Sequence, residues 1–388
     1  MTYRIGVDAR LLSQKITGIG RYTVEMLDHL TEAGHEWYLY SPTPIVIGHW
    51  QRPNVHLRTA NLPGRPLRML WTQSLMPWQA ARDGVDLFWA PTHRLPRYLN
   101  GRIARVVTIH DLVWKHAGET MRPTSRWLDA RLMPEAARLA DRIITVSSHT
   151  ADDLVSEVAE AAGKIRAIPL GAPTPVGRMS ADILSEMGLS EPFFLFVGTL
   201  EPRKNLARLI EAYALLPDNL RNAATLAIAG GRGWGGVDVE TLSAQHGVTE
   251  RVRVLGYVTE AQLSGLYEHA LFLAMPSLYE GFGLPLLEAM VHGTPGLTSD
   301  RASMPEVVGD AGILIDPYDA GSIRDGLSRL IGDADLRRRL GERALDRMPR
   351  FSWDRAVSQT LDVFDEAMAV RDARQCRRAS APRRSGDI

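Results

Sequence analysis

The chain lacks most features that settle a protein's class on their own. It has a single cysteine, Cys376, in 388 residues, so neither a disulfide framework nor a cysteine-rich zinc site can be built. No apolar run approaches the roughly 20 residues a membrane span needs. The sequence runs into "RIGVDAR" with no apolar targeting segment, so a protein that is cytoplasmic, or peripheral to the cytoplasmic membrane, is expected. Its formal net charge is zero, which gives it no footprint for nucleic acid. What is present is the composition of a packed soluble protein. Hydrophobic residues make up 45% and charged residues 23%, in a length suited to two domains.

The charge is unevenly spread. Residues 1–173 carry a net +5, residues 174–375 a net −8 and the tail 376–388 a net +3. A mildly basic front half suits an acceptor near phosphate or anionic lipid, although ordinary scatter gives similar numbers.

Apolar runs of strand length alternate with longer amphipathic stretches. Residues 4–10, 36–41, 55–60, 85–90, 105–110, 143–148 and 165–170 read as strands, with helical patterns such as "TVEMLDHLTEAG" between them. After "LGAPTPVGRMS" (170–180) the rhythm restarts with strands at 193–198, 225–231, 252–258 and 271–277. Near-continuous apolar strands alternating with helices predict parallel sheets covered on both faces. Thr259 and Gln262 form a capping-box pattern ahead of the helix "EAQLSGLYEHA". Two doubly wound α/β domains are expected, 1–173 and 174–350. A C-terminal helix at 351–375 would cross back to the first, and an Arg-rich tail at 376–388 would be disordered.

The second domain holds the most informative stretch, "SLYEGFGLPLLEAM" (277–290), with Glu280 and Glu288 on either side of an elbow containing Gly281, Gly283 and Pro285. Pro285 fits the first helical position. Free amides around Gly283, Leu284 and Leu286 would then face anionic oxygens at an exposed bend, outside the carboxyl end of a strand. An ionised carboxylate beside an anion site must bind something else, and it only accepts hydrogen bonds. Sugar and ribose hydroxyls fit: Glu280 could hold a hexose and Glu288 a ribose. A plain preference of glutamate for helix N-termini is the competing account.

"EGFGLPLLEAM" resembles the E-x7-E signature of family-4 retaining glycosyltransferases of the GT-B fold, in which two Rossmann-like domains face across a cleft. "VDARLLSQKITGIGRYTVEML", "VVTIHDLVW" and "VGTLEPRKNL" resemble three further stretches of that family in the same order. The resemblance implies an N-terminal acceptor-binding domain and a C-terminal nucleotide-sugar domain. It implies that Glu280 contacts the donor sugar near the reacting centre, that Glu288 binds ribose, and that the backbone at Phe282, Gly283 and Leu284 meets sugar and diphosphate. Lys204 would neutralise the leaving diphosphate and His110 would contact sugar or acceptor. Thr199 stands where the family commonly has arginine and Asn205 where it has glycine, so Arg203 is the candidate replacement cation. Gly18 and Gly20 of "TGIGRY" would bring turn amides to the diphosphate, while a full dinucleotide fingerprint fails at Thr23. Asp111 would either orient His110 or cap the next turn.

No Asp-x-Asp motif is placed to hold a divalent ion, so neither a metal nor a cofactor is expected. Likeness to bacterial mannosyl- and rhamnosyltransferases of polysaccharide and lipopolysaccharide assembly favours GDP-mannose as donor and a glycan or lipid-linked saccharide as acceptor. A UDP-glucose, UDP-N-acetylglucosamine or rhamnose transferase is the alternative within the fold. An NAD(P)-dependent oxidoreductase and a non-catalytic nucleotide-sugar binder are the alternatives outside this function. "RPLRMLWTQSLMPWQAAR" (65–82), with Trp71 and Trp78, is either an acceptor- or membrane-facing surface or a core-facing helix with solvated arginines.

Overall fold

All seven strands expected in the first half form in a computed structural model of the protein, which describes residues 2–13, 18–45, 52–174, 182–190, 192–231 and 233–380. They are β1 (Arg4–Asp8), β2 (Glu36–Ser41), β3 (Val55–Thr59), β4 (Leu87–Ala90), β5 (Ala104–Ile109), β6 (Arg142–Thr145) and β7 (Ile165–Ala167). Their order is β3-β2-β1-β4-β5-β6-β7, and every pairing is parallel. β4 and the end of β5 are buried throughout, as expected of a sheet covered on both faces.

The second sheet runs β10-β9-β8-β11-β12-β13, also all parallel. Four of its strands fall at the expected places: β8 (Phe193–Val197), β9 (Thr225–Ala229), β10 (Val252–Gly256) and β11 (Leu273–Met275). Two more, β12 (Gly296–Ser299) and β13 (Gly312–Ile315), were not expected from the sequence. The helix Leu206–Ala214 buries Leu206, Leu209, Ile210 and Tyr213 in this core, one stripe at the helical period. The capping box forms: the Gln262 amide donates to Thr259 Oγ1, and Gln262 Oε1 accepts from the Thr259 amide.

The chain divides into two compact units, residues 1–110, 128–170 and 353–388, and residues 111–127 and 171–352. Asp111–Trp127 groups with the second unit because Val113 and Ala117 bury against Tyr279 and the Leu112 amide donates to the Tyr279 hydroxyl at 3.3 Å. The helix Trp353–Ser380 packs on the helix Gly18–Leu30 and on β4, β5 and β6. It continues five residues into the segment expected to be disordered. Arg, Gln and Ala are good helix formers, and Ser380 Oγ bonds back to the Cys376 carbonyl at 2.9 Å. Residues 381–388, and 175–180 of the expected linker, lie outside the described residues.

Candidate active site

Sheet order reverses between β8 and β11 in the second unit, and loops leaving such a point form the ligand crevice of an open α/β sheet. The loop after β8 carries Arg203 and Lys204, that after β11 carries Glu280, and that after β12 carries Ser303. They meet around one carboxylate. Glu280 Oε1 accepts from Lys204 Nζ at 2.7 Å, and Oε2 lies 2.5 Å from Arg203 Nη1. Arg203 also pairs with Glu201 at 2.6 Å and donates to the Tyr279 carbonyl at 2.9 Å. Ser303 Oγ donates to the Glu280 carbonyl at 2.9 Å.

Glu280 and Lys204 are both buried. Burial pushes the Glu280 carboxyl up, but the adjacent Arg203 and Lys204 outweigh it and hold the group at about 2. Burial opposes the Arg203 charge too, and Glu280, Glu201 and Asp111 together reverse that effect and raise it. Removing one member would leave an uncompensated buried charge.

Two backbone positions make this arrangement possible. Gly198, at φ 149°, gives room to the Lys204 stem: a Cβ there would sit 3.3 Å from Lys204 Cε. Asn205, where the family commonly has glycine, adopts φ 60° and ψ 31°, a conformation asparagine tolerates better than most residues. Its side-chain amide donates to the carbonyls of Pro276 (3.0 Å) and Pro317 (2.7 Å). The departure from glycine thus ties the cation loop to the strand end beside Glu280.

The elbow differs from expectation in three ways. The helix spans Leu284–Met290 with Gly283 as its N-cap at φ 100°, so Pro285 is its second residue rather than its first. The Leu286 amide is used, donating to the Gly283 carbonyl at 2.9 Å. The bend is not exposed: Glu280 to Gly283 are buried, and only Leu284 and Pro285 are half-buried. The ion pairs hold Glu280 inward, Phe282 stands edge-on to Phe351 at 6.1 Å, and Met304 lies against Gly283. Glu288 is buried one turn into the helix, where Tyr267 donates to its Oε2 at 2.8 Å. The sequence reading missed Tyr267 and Ser303, because nothing local marks either as a partner of a glutamate.

In the first unit, His110 follows directly on β5 and is buried. Its Nε2 lies 2.9 Å from the Pro91 carbonyl, which only accepts, so Nε2 carries the proton. Its backbone amide donates to His93 Nδ1 at 3.3 Å, and its ring stands edge-on to Tyr22 at 4.8 Å. Asp111 caps the next turn, accepting from the Val113 amide at 3.2 Å. Gly18 begins the helix Gly18–Leu30 and Gly20 is buried in its first turn, so Gly20 is not the tight-turn residue expected. Its place in a first helical turn still leaves amides without intrahelical partners there. At the neighbouring strand ends Arg10 pairs with buried Asp8 at 2.7 Å and reaches Thr92 Oγ1 at 3.3 Å. Asp8, Thr92 and His93 were missed, although the strand-end rule that picked out His110 applies to them equally.

Residues 16–174 match the family model "Glycosyltransferase Family 4" and residues 185–347 the model "Glycosyl transferases group 1". The O-antigen chain mannosyltransferase B of Escherichia coli is 32% identical over 371 residues, covering 90% of this chain and 96% of that one. This chain belongs to the group 1, family 4 glycosyltransferases. The D-inositol 3-phosphate glycosyltransferase of Salinispora arenicola is 31% identical over 320 residues, 77% of this chain and 68% of that one. Among solved structures, sucrose-phosphate synthase from Thermosynechococcus elongatus superposes with a TM-score of 0.77 at 24% identity, over 95% of this chain and 99% of that one. The glycosyltransferase therefore has the GT-B fold, and the oxidoreductase alternative falls. Among the described residues, no helix is long and apolar enough to cross a membrane, and no group of three or more His, Cys, Asp and Glu side chains is placed to hold a metal.

Proposed function

We propose that this glycosyltransferase moves mannose from GDP-mannose, with retention, to a saccharide or lipid-linked acceptor in cell-surface polysaccharide assembly. The observation that carries the proposal is the Arg203–Glu280–Lys204 cluster, in which two cations share one carboxylate at the switch point of the second sheet. A diphosphate is a stronger partner for those cations than a single carboxylate, since it brings more charge and more acceptor oxygens. On donor binding Arg203 and Lys204 turn to the diphosphate, and Glu280 is released to accept from sugar hydroxyls. Glu288, oriented by Tyr267, takes the ribose.

Cleavage of the bond from sugar C1 to the phosphate oxygen leaves GDP with the electron pair and added negative charge. Arg203 and Lys204 stabilise that charge as it develops. The acceptor oxygen bonds to C1 from the same face, and its proton passes to the departing phosphate oxygen. This route needs no enzymatic nucleophile and no divalent ion. The mannose assignment is supported by the Escherichia coli relative named as an O-antigen chain mannosyltransferase.

A thermal-shift panel of GDP, UDP, dTDP and their sugars tests the donor, because a ligand stabilises in proportion to RT ln(1 + [L]/Kd). The largest shift is expected with GDP and GDP-mannose; a larger shift with UDP-sugars replaces mannose by the glucose-type alternative. Turnover in EDTA equal to that in magnesium is expected, and activity lost with chelator and restored by a divalent ion defeats the metal-free route. Donor binding with no transfer to any saccharide or lipid-linked acceptor identifies a binder instead of an enzyme.

A further inference from the structure

Residues 37–82 contain five arginines and no acidic residue, and residues 37–110 contain nine arginines against only Asp83 and Asp86. Within this run, 65–82 folds as two short helices, Arg65–Gln73 and Leu75–Arg82, which meet at Ser74. Trp71, Thr72, Met76, Pro77 and Ala80 face inward and are buried. The outward faces are not polar. Leu67 is 48% exposed, Met69 50%, Leu70 63%, Leu75 51% and Trp78 56%. A core-facing pair of helices would not leave so many large apolar side chains in water at one place.

The patch continues beyond the two helices. The Arg97 amide donates to Gln73 Oε1 at 3.0 Å, which brings the neighbouring Tyr98, 70% exposed, to the end of the first helix. The two described arginines on the helices themselves are not spent on carboxylates. Arg82 lies over the Trp78 ring at 5.5 Å, and Arg68 donates to the Leu62 carbonyl at 3.0 Å. Neither is ion-paired to a described carboxylate. At the margin of the patch Arg97 pairs with Glu135, and outside it Arg58 pairs with Asp83 and Arg94 with Asp129. The uncompensated cations therefore coincide with the exposed apolar residues.

We propose that the outward face of these two helices is a docking surface for an anionic lipid bilayer. Leucine and methionine side chains would enter the acyl boundary. Trp78 and Tyr98 suit the headgroup level, with an apolar ring and a polar edge. Arg68 and Arg82 would meet anionic headgroups. A protein partner would need carboxylates among its apolar contacts; a bilayer supplies both chemistries over any area. The surface lies wholly in the first unit and owes nothing to the donor chemistry, so each proposal can fail without the other.

The test is co-sedimentation of the full chain with sucrose-loaded vesicles, either pure phosphatidylcholine or phosphatidylcholine with phosphatidylglycerol. The wild type is expected to pellet with the phosphatidylglycerol vesicles only, and less so as salt rises. The double variant Leu70→Ser, Trp78→Ser should lower the partition coefficient at least tenfold, and Arg82→Gln roughly fivefold. Both should melt as the wild type does and keep its thermal shift with GDP. Wild type that stays in the supernatant, variants that pellet like the wild type, or equal binding to both vesicle types would overturn the proposal. So would sedimentation velocity showing a dimer that the double variant abolishes, which would make this face a contact between copies.

Discussion

The carboxyl ends of the two sheets solve the placement of polar groups differently. In the first unit, buried His110 is fixed by a backbone carbonyl, by its own amide on His93 and by the edge of Tyr22. In the second, Glu280 is fixed by two formal charges at 2.5 and 2.7 Å. The contacts named for His110 are hydrogen bonds and a ring contact, with no ion pair among them. Glu280 is held by charges that a charged ligand can compete for. The same strand-end topology therefore holds His110 by hydrogen bonds in one unit and Glu280 by ion pairs in the other.

That contrast can be broken most severely at Lys204. Lys204→Ala should lower kcat by about 10²- to 10³-fold, the loss typical when a donor to a developing anion is removed; near-normal turnover would show that the leaving group does not depend on it. Acid is the next lever. Glu280 is held at about 2 against an ordinary 4.5, so its stabilising contribution is complete above pH 4.5 and is lost as pH falls from there towards 2. It amounts to about 3 kcal/mol, and a urea-unfolding series over that range should show Glu280→Gln without this part of the acid limb.

Tyr267→Phe removes one hydrogen bond to Glu288 and should weaken GDP binding about fivefold while leaving kcat nearly unchanged. A fall in kcat with unaltered GDP affinity would assign Tyr267 a different role. The smallest change is expected at the hydrogen bond from the His110 amide to His93. His93→Ala should cost about 1 kcal/mol of stability and leave the acid limb from Glu280 where it is. A shift of that limb would erase the contrast between the two sites.

Much of the architecture was legible because parallel strands buried on both faces are plain apolar runs. β12 and β13 escaped notice: each is four residues long and opens on glycine, too short for a pattern to stand out. Two helices, Ala320–Gly332 and Ala334–Arg347, meet at Asp333, which caps the second by accepting from the Leu336 amide at 2.8 Å. At the site, the E-x7-E spacing and the Arg203–Lys204 pair were visible. Their pairing was not, since 76 residues separate Lys204 from Glu280 and no local rule joins them. The same holds for Tyr267 and Ser303. The exposed apolar face at 65–82 was also undecidable in sequence, because an amphipathic pattern does not say which side meets water.

The helix Trp353–Ser380 makes the first sheet depend on a segment far from it in the chain. Phe364 lies 5.9 Å from Trp89, a β4 residue, and Val363 and Ala367 are fully buried. Ion pairs from Arg142 and Arg166 to Glu366, and from Arg374 to Asp141, pin it to the same sheet. Part of the cover of β4, β5 and β6 therefore comes from a helix that lies beyond the whole second unit in the chain. A nonsense mutation or a protease cut near residue 350 would accordingly strike hardest at the first sheet, baring apolar side chains such as Trp89.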